Sequence, residues 1–199
     1  MDIHGWQFHP AKTPSLLGCP LIGIAGKAGS GKDTLADYIS TRYGYKKVAF
    51  ATSIKEALNH LFGWEMEQWN EREWKERLLP GFNVSPRHLA QTLGTEWGRN
   101  LIGPDFWIKI LARRLVYPCV ISDVRFPNEA KFIRENEGLL IKIHRTSEDR
   151  KTEEVHPHAS EQLDFEAGVL FENSGTIQDL YDSFETYIWG KKDVAHPIC

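Results

Sequence analysis

A glycine-rich segment near the amino terminus constrains the fold of this chain more than any other feature. The segment GKAGSGKDT runs from Gly26 to Thr34 and follows the short apolar run LIGIA. The next residues, DTLADYISTRY, place apolar side chains at helical spacing. A glycine-rich turn between a buried strand and a helix directs backbone N–H groups and the positive end of the helix toward an anion. The segment therefore predicts a phosphate-binding loop in an α/β fold, with a glycine-rich turn that binds nothing as the alternative.

One position in this segment departs from the general phosphate-loop pattern G-x-x-x-x-G-K-[S/T]. Asp33 stands where a Ser or Thr hydroxyl normally holds Mg²⁺, and a carboxylate is repelled by a triphosphate unless a metal ion or water lies between them. Because Thr34 follows directly, we expect metal contact from Thr34, from water or from Asp123. We expect Lys32 to reach the β- and γ-phosphates. The predicted nucleotide contacts are Gly26, Lys27, Ala28, Gly29, Ser30, Gly31, Lys32, Asp33 and Thr34.

Strand-like and helix-like segments alternate along the rest of the chain. Apolar runs with strand character occupy residues 21–25, 46–50, 117–124, 139–144 and 169–173. Amphipathic segments lie between them, and Trp64, Trp69 and Trp74 are expected to anchor helix faces in a highly charged stretch. This alternation predicts a parallel sheet covered by helices on both faces. We expect an irregular arm over residues 1–20 and a single domain over residues 21–199.

Composition and termini narrow the functional classes. The chain of 199 residues has 41% hydrophobic and 26% charged residues and a net charge of -3, so no overall positive field attracts nucleic acid. The first twenty residues lack the features of a secretion signal, and no apolar run approaches a membrane span. Cys19, Cys119 and Cys199 are far apart in sequence, which favours reduced thiols. We expect a cytoplasmic protein without membrane or chain-wide nucleic-acid partners, and the oligomeric state is open, a homodimer included.

A polar cluster follows the predicted third strand. ISDVRFPNEA places Asp123, Arg125, Asn128 and Glu129 just beyond a buried strand, where open α/β sheets bind their ligands. A carboxylate there can orient metal-bound water or a sugar hydroxyl, and Arg125 can hold a phosphate. The alternative is a turn in which Asp and Asn cap a helix and Arg125 lies on the surface.

The segment QTLGTEWGRN is unusual for a core helix. Gly94 and Gly98 each weaken a helix by about 1 kcal/mol unless some group must approach closely. Gln91, Thr95 and Arg99 are four residues apart and share one face, which offers an amide for a base edge, a hydroxyl and a cation. A solvated helix face with packing glycines is the alternative.

Three further groups are weaker candidates. Lys55 could reach an acceptor phosphate or be solvated, and Trp107 could lie against a base or pack in the core. Residues 145–165 form a candidate lid, in which Arg145, Arg150 and Lys151 would close over the phosphates, with a solvated charged loop as the alternative. The lid histidines, His156 and His158, lack nearby Cys or His partners, so a metal site there is not expected.

These segments together carry a family resemblance. GKAGSGKDT, AFATSIKEAL, QTLGTEWGRN followed by PDFWI, ISDVRFPNEA and the late HASE occur in this order. The chain resembles the bacteriophage-type deoxynucleoside monophosphate kinases, a branch of the P-loop kinase superfamily. GKAGSGKDT also resembles the G-x-x-G-x-G-K-G-T loop of nucleoside monophosphate kinases, with Asp33 in place of the last glycine. The resemblance implies that Asp33 is a family feature.

The resemblance also implies a fold and an activity. The implied fold has three layers, α/β/α, around a five-stranded parallel sheet of order 2-3-1-4-5, with an acceptor-binding region at about 51–116 and a lid. The implied reaction transfers the γ-phosphate of ATP to a deoxynucleoside monophosphate in the presence of Mg²⁺. Lys32, Asp123 and Arg125 would be catalytic. The implied acceptor contacts are Lys55, Gln91, Arg99, Trp107, Asp123, Arg125 and Glu129.

Two other functions are compatible with the same loop. The acceptor could be a modified base within DNA or another small metabolite, or the chain could be a non-catalytic ATP-dependent switch. The second anion site distinguishes a kinase from a switch, because a switch does not require Arg99 and Arg125 to face the loop. The sequence does not decide which base is accepted.

Overall fold

A five-stranded parallel sheet organises the protein. The computed structural model describes residues 17–145 and 163–190. The strands are β1 (Leu21–Gly26), β2 (Lys46–Val48), β3 (Cys119–Val124), β4 (Leu139–His144) and β5 (Val169–Glu172). All neighbouring strands pair in parallel, and the sheet order is β2-β3-β1-β4-β5. The expected topology is confirmed.

Helices fill the segments between the strands. The α-helices are α1 (Lys32–Tyr43), α2 (Thr52–Phe62), α3 (Arg72–Glu76), α4 (Pro86–Gln91), α5 (Phe106–Ala112), α6 (Pro127–Glu135) and α7 (Ile177–Gly190). A 3₁₀ helix covers Met66–Asn70 and a π-helix covers Thr92–Ile102. The second strand is shorter than the predicted 46–50, because the chain already turns at Ala49, whose carbonyl accepts a hydrogen bond from the N–H of Thr52. None of the helices in the described ranges is long and apolar enough to cross a membrane.

The chain divides into two compact units. The helical unit comprises Ala49–Arg114, and the sheet unit contains the remainder, with all five strands. The helical unit falls within two residues of the predicted acceptor-binding region.

The core of the sheet unit explains why β1 is central. All six of its residues are buried, as expected for a strand covered on both faces. Ile22 and Ile24 join the core formed with α1 and α7, whereas Gly23 lies against Ile133 of α6. The helices therefore form layers on opposite faces of the sheet.

The end of the predicted arm belongs to this core. Leu17 and Cys19 are buried, and the hydroxyl of Tyr45 donates a hydrogen bond to the carbonyl of Cys19. Cys119 is a free, buried thiol, and burial raises its pKa to about 12. The expectation of reduced thiols is wrong for Cys19, which is disulfide-bonded, because separation along the sequence does not report distance in the fold.

Aromatic packing holds the helical unit together. Trp69 and Trp74 are buried, and their ring centroids lie 5.2 Å apart. Trp64 lies 4.9 Å from Trp74, edge to face. The indole N–H of Trp69 also donates to Oδ1 of Asn59 over 2.7 Å. The tryptophans thus anchor this unit, as the sequence predicts.

The helix that contains QTLGTEWGRN is partly a π-helix, which the sequence did not indicate. It starts after Ser85, whose hydroxyl oxygen accepts a hydrogen bond from the N–H of His88 over 3.2 Å. From Thr92 onward it is wound as a π-helix, a form that is rare and usually a single turn. Trp107 is the residue that comes close to the helix backbone at the two glycines. Its indole N–H donates to the carbonyl of Gly94 over 2.7 Å, and a Cβ at Gly98 would lie 2.3 Å from its Nε1.

Some predictions fall outside the described residues. Most of the arm and of the lid does so, as does the late HASE segment. The residues concerned are Arg150, Lys151, His156 and His158.

Candidate active site

The glycine-rich segment forms the turn between β1 and α1 that the sequence predicts. Gly29 and Gly31 adopt φ values of 73° and 102°, in the region that favours glycine. The N–H of Ser30 donates to the carbonyl of Lys27 over 3.1 Å, which closes the turn. The carbonyl of Gly31 accepts a bond from the N–H of Leu35 over 2.9 Å, so α1 begins directly at the loop. The amino-terminal end of α1 therefore lies directly at the loop, a position that suits an anion.

Lys32 lies beside a cavity in the sheet unit. Its side chain is buried, and its Nζ donates to the carbonyl of Lys27 over 3.3 Å. The cavity has a volume of about 340 Å³. Its lining residues are Gly29, Gly31, Lys32, Asp33, Thr34, Arg145, Asn173, Gly175, Ile177 and Leu180. A buried ammonium group at the edge of such a cavity favours a negatively charged ligand.

The carboxylate of Asp33 lies between two lysines. Its Oδ2 is 3.9 Å from Nζ of Lys32, and its Oδ1 is 3.6 Å from Nζ of Lys47 in β2. Lys47 also pairs with Asp37 over 2.8 Å. These cations offset the negative charge that seemed incompatible with a phosphate site. Thr34 also lines the cavity, and its contact with a metal ion or a phosphate stays a prediction.

Arg145 of the predicted lid lies next to the loop. It follows β4, and its Nη1 donates to the carbonyl of Gly29 over 3.2 Å. It also lines the cavity. Its guanidinium therefore adds a second positive charge, besides Lys32, to the same site.

Sequence reasoning missed the contribution of the segment after β5. Asn173 is buried, and its Nδ2 donates to the carbonyl of Ser30 over 2.8 Å. Gly175, Ile177 and Leu180 complete this side of the cavity. The place of Asn173 in the sequence could have identified it as a site residue. It follows an apolar run at the carboxyl end of a strand, where α/β sheets bind ligands.

The predicted polar cluster begins within β3, at Asp123, and continues beyond the end of that strand. Val124 pairs with Ala25 of β1, and the register shifts between Gly23 and Ala25. The shift puts an additional residue into β3 next to half-buried Asp123. Bulges of this kind occur next to active sites, where they redirect a side chain. Asp123 thus lies on the strand adjacent to the one that leads into the glycine loop.

Glu129 has a structural partner in this cluster. It is buried, and its Oε2 accepts bonds from the N–H groups of Arg125 and Phe126 over 2.8 and 3.1 Å. Glu129 therefore caps the start of α6 itself, a role that the alternative interpretation gave to Asp and Asn. Arg125 and Asn128 are half-buried, so neither is a fully solvated surface residue.

The helical unit holds the other candidate acceptor contacts. Gln91, Thr95 and Arg99 are all half-buried, consistent with a shared face. Lys55 is also half-buried, and its Nζ lies 5.7 Å from the ring centre of Trp69. Trp107 is buried against the glycines of the π-helix, which gives it a packing role. Contact of these residues with a substrate stays a prediction.

Solved kinase structures superpose loosely on this chain. Shikimate kinase from Acinetobacter baumannii in complex with shikimate gives a TM-score of 0.48 at 14% identity, covering 87% of this chain and 95% of that one. Dephospho-CoA kinase from Campylobacter jejuni gives a TM-score of 0.46 at 15% identity, covering 86% and 98%. These superpositions are too loose to support a functional statement.

Sequence comparisons identify the family. The model of deoxynucleotide monophosphate kinases matches residues 20–84 and 81–184. A candidate deoxynucleotide monophosphate kinase of Acanthamoeba polyphaga mimivirus is 36% identical over 183 residues, which cover 81% of this chain and 92% of that protein. The deoxynucleoside-5'-monophosphate kinase of Escherichia phage T5 is 27% identical over 209 residues, covering 70% and 84%. The chain therefore belongs to the deoxynucleotide monophosphate kinase family.

Proposed function

We propose that this protein transfers the γ-phosphate of ATP to the 5′-phosphate of a deoxynucleoside monophosphate, producing ADP and a deoxynucleoside diphosphate that supplies DNA synthesis. The observation that carries the proposal is the glycine loop with buried Lys32 beside a cavity, in a chain that belongs to this family. The loop supports the donor site, and family membership supports the acceptor class. We place the reaction in the cytoplasm.

The donor triphosphate occupies the cavity of the sheet unit in this proposal. The loop amides and the ammonium of Lys32 bind the β- and γ-phosphates, and the guanidinium of Arg145 adds positive charge. Phosphoryl transfer requires mainly positioning and charge stabilisation, because the protein forms no covalent intermediate. Lys32 and the loop amides supply this stabilisation without rearrangement of the fold.

The residues present fit a Mg²⁺ ion. Thr34, which carries a hydroxyl, lines the cavity, and Asp123 offers a carboxylate at the same end of the sheet. Mg²⁺ prefers such oxygen ligands and is usually bound by one or two protein groups together with substrate phosphates and water. When bound, the ion would neutralise charge on the transferring phosphate. Thr34 and Asp123 would hold it directly or through water.

In this proposal each compact unit has residues suited to a deoxynucleotide. Asp123, Arg125, Asn128 and Glu129 supply the sheet-unit contacts, and residues 51–116 form the acceptor-binding region. Its proposed contacts are Lys55, Gln91, Thr95, Arg99 and Trp107. Arg125 and Arg99 are suited to the acceptor phosphate because guanidinium groups bind phosphate in a bidentate manner. Residues 145–165 act as the lid over the phosphates.

An ADP-release assay tests the proposal. ATP and Mg²⁺ are supplied with dAMP, dGMP, dCMP, dTMP or their hydroxymethylated pyrimidine analogues. We expect ADP formation that depends on at least one monophosphate, and loss of turnover in Lys32→Ala. Lys131→Ala is the matched control, because Lys131 is 68% exposed on α6 and forms a solvent-exposed ion pair with Glu135 over 3.5 Å. ADP formation that is independent of every added monophosphate would contradict the proposal.

A further inference from the structure

Asn173 is a buried polar residue whose role the family assignment does not explain. It follows β5, is 7% exposed, and lies outside the glycine loop. Its backbone N–H donates to the carbonyl of His144 over 2.7 Å, which fixes its main chain to the end of β4. Its side chain is therefore supported by the sheet and points from there to the loop.

The contact of Asn173 with the loop is directional. Its Nδ2 donates to the carbonyl oxygen of Ser30 over 2.8 Å. In a planar trans peptide the C=O and the following N–H point in opposite directions. A bond that holds the Ser30 carbonyl toward Asn173 therefore directs the N–H of Gly31 the opposite way.

The same side chain restricts the neighbouring residue. A Cβ on Gly31 would lie 2.7 Å from Nδ2 of Asn173 and 3.0 Å from Cδ2 of Leu180. Gly31 has φ 102°, and a glycine peptide rotates readily when nothing holds it. The hydrogen bond from the Asn173 amide therefore restricts the rotation of the Ser30–Gly31 peptide, which the glycine alone would leave free.

We propose that Asn173 is a positioning residue of the phosphate-binding loop, which holds the Ser30–Gly31 peptide so that the N–H of Gly31 faces the phosphates of the donor nucleotide. The proposal rests on the proposed function for the identity of the donor as ATP. Without the amide donor, the peptide can rotate and present the Ser30 carbonyl, an acceptor, to the phosphates. The result is weaker binding of the triphosphate and not a general loss of structure.

The first test compares Asn173→Asp and Asn173→Ala with the unmodified protein. Asp keeps the shape but places a carboxylate oxygen opposite the Ser30 carbonyl, and Ala removes the donor without adding charge. We expect the Kd for ATP and for inorganic tripolyphosphate, measured by calorimetry, to rise roughly 10- to 100-fold. A rise of this size corresponds to the loss of one backbone N–H hydrogen bond to a charged phosphate. Where turnover is measurable, the KM for the deoxynucleotide should stay within about twofold.

Asn136→Asp is the matched control. The amide of Asn136 also donates to a backbone carbonyl, that of Phe132 over 2.8 Å, but at the end of α6. We expect this variant to lower the melting temperature without changing either affinity. Melting temperatures of the Asn173 variants separate loss of loop geometry from loss of folding.

The result that overturns the proposal is affinity within twofold of the unmodified protein for both ligands in a folded Asn173→Ala variant. A purely structural Asn173 would give this result, with a lower melting temperature only. If the unmodified protein binds ATP but phosphorylates no deoxynucleotide, the proposed function fails while the affinity comparison still decides the role of Asn173.

Discussion

At the scale of single residues, Asp33 shows how a local mismatch is accommodated. Its carboxylate is 65% exposed and lies within 4 Å of two lysines, of which Lys32 precedes it in α1 and Lys47 belongs to β2. Exposed ion pairs contribute little to stability, about 0 to 1 kcal/mol. The two lysines should nevertheless affect phosphate binding at the adjacent loop, because without them the carboxylate of Asp33 would repel phosphate.

Replacing Lys47 should weaken ATP binding through Asp33. In Lys47→Ala the negative charge of Asp33 is less offset, and we expect the Kd for ATP to rise about threefold at low salt, a change of under 1 kcal/mol. Asp33→Ser should remove the repulsion, so the double variant should bind ATP about as well as Asp33→Ser alone. Calorimetry at low and high ionic strength measures the coupling, which salt should reduce. Equal losses in Lys47→Ala with and without Asp33 would show that Lys47 acts on its own.

Gly31 should be essential for binding but not for folding. Gly31→Ala places a Cβ at φ 102°, 2.7 Å from Asn173, so we expect ATP affinity to fall by more than about 100-fold because the loop must distort. Gly44→Ala is the matched control: Gly44 also has a positive φ of 72°, but a Cβ there meets nothing within 4 Å. Both variants should lose about 1–2 kcal/mol of unfolding free energy. Only Gly31→Ala should lose ATP affinity in a titration.

At the scale of elements, side chains contact the π-helix from α5 and join α1 to α7. Trp107 packs on the π-helix at Gly98 and hydrogen-bonds to the carbonyl of Gly94. On the other unit, Glu185 of α7 accepts hydrogen bonds from the hydroxyls of Tyr38 and Tyr43 of α1, each over 2.5 Å. The contact at the π-helix and the hydrogen bonds of Glu185 lead to separate predictions about the stability of the protein.

Substitution of the two helix glycines should have graded effects. A Cβ at Gly98 would lie 2.3 Å from Nε1 of Trp107, a rigid ring, so we expect Gly98→Ala to destabilise the protein by about 2–3 kcal/mol through overpacking. At Gly94 the nearest atom is the flexible end of Ile54 at 3.0 Å, so Gly94→Ala should cost less than about 1 kcal/mol. Urea unfolding gives both values. Equal costs would mean that Trp107 does not restrict the helix.

The α1–α7 contact should make stability depend on pH. Burial alone would raise the pKa of Glu185, but hydrogen bonds from Tyr38, Tyr43 and Trp189 outweigh it and lower the pKa below the ordinary 4.5. The stabilisation is therefore present above pH 4.5 and lost as the pH falls. The hydrogen bond to Glu185 raises the pKa of Tyr38 to about 12, so that contribution is lost as the pH rises from 10 to 12.

Glu185→Gln measures this contribution. At pH 7 we expect the variant to be less stable by about 2 kcal/mol, because Gln is a weaker acceptor than a carboxylate. The difference should shrink as the pH falls below 4.5 and Glu185 takes up a proton. Chemical unfolding at pH 3.5, 5 and 7 provides the comparison. A difference that is constant across these values would assign the effect to packing.

At the scale of the whole molecule, the match to the family extends across both compact units. The matched residues 20–84 and 81–184 include the glycine loop, the helical unit and the segment after β5. This extent separates a deoxynucleotide kinase from a general phosphate-loop protein, because the loop alone occurs in many nucleotide-binding proteins.

Net charge predicts that mononucleotides, not DNA, are the acceptors. With a net charge of -3, the protein should show no measurable affinity for duplex DNA at 150 mM salt in a fluorescence polarisation titration. Turnover of a mononucleotide should fall less than about threefold between 50 and 200 mM salt. DNA binding that weakens by orders of magnitude over this range would instead favour a base within DNA as the acceptor.

The sequence by itself determined the sheet and the position of the glycine loop. Buried strands and amphipathic helices alternate with distinct periodicities, and the glycine loop occupies one of the junctions, so these features depend on local patterns. Family resemblance then supplied the strand order and the class of acceptor, both of which agree with the structure and the comparisons.

Only the tertiary structure decided which distant side chains support the loop and the helices. Asn173 is 143 residues from Ser30, and Lys47 of β2 reaches Asp33 of α1. Trp107, which lies outside the π-helix, likewise donates a hydrogen bond to the carbonyl of Gly94 within it. Such contacts arise because parallel strands bring their carboxyl ends together and helices pack side by side, so the partner of a residue is set by the fold and carries no local signature.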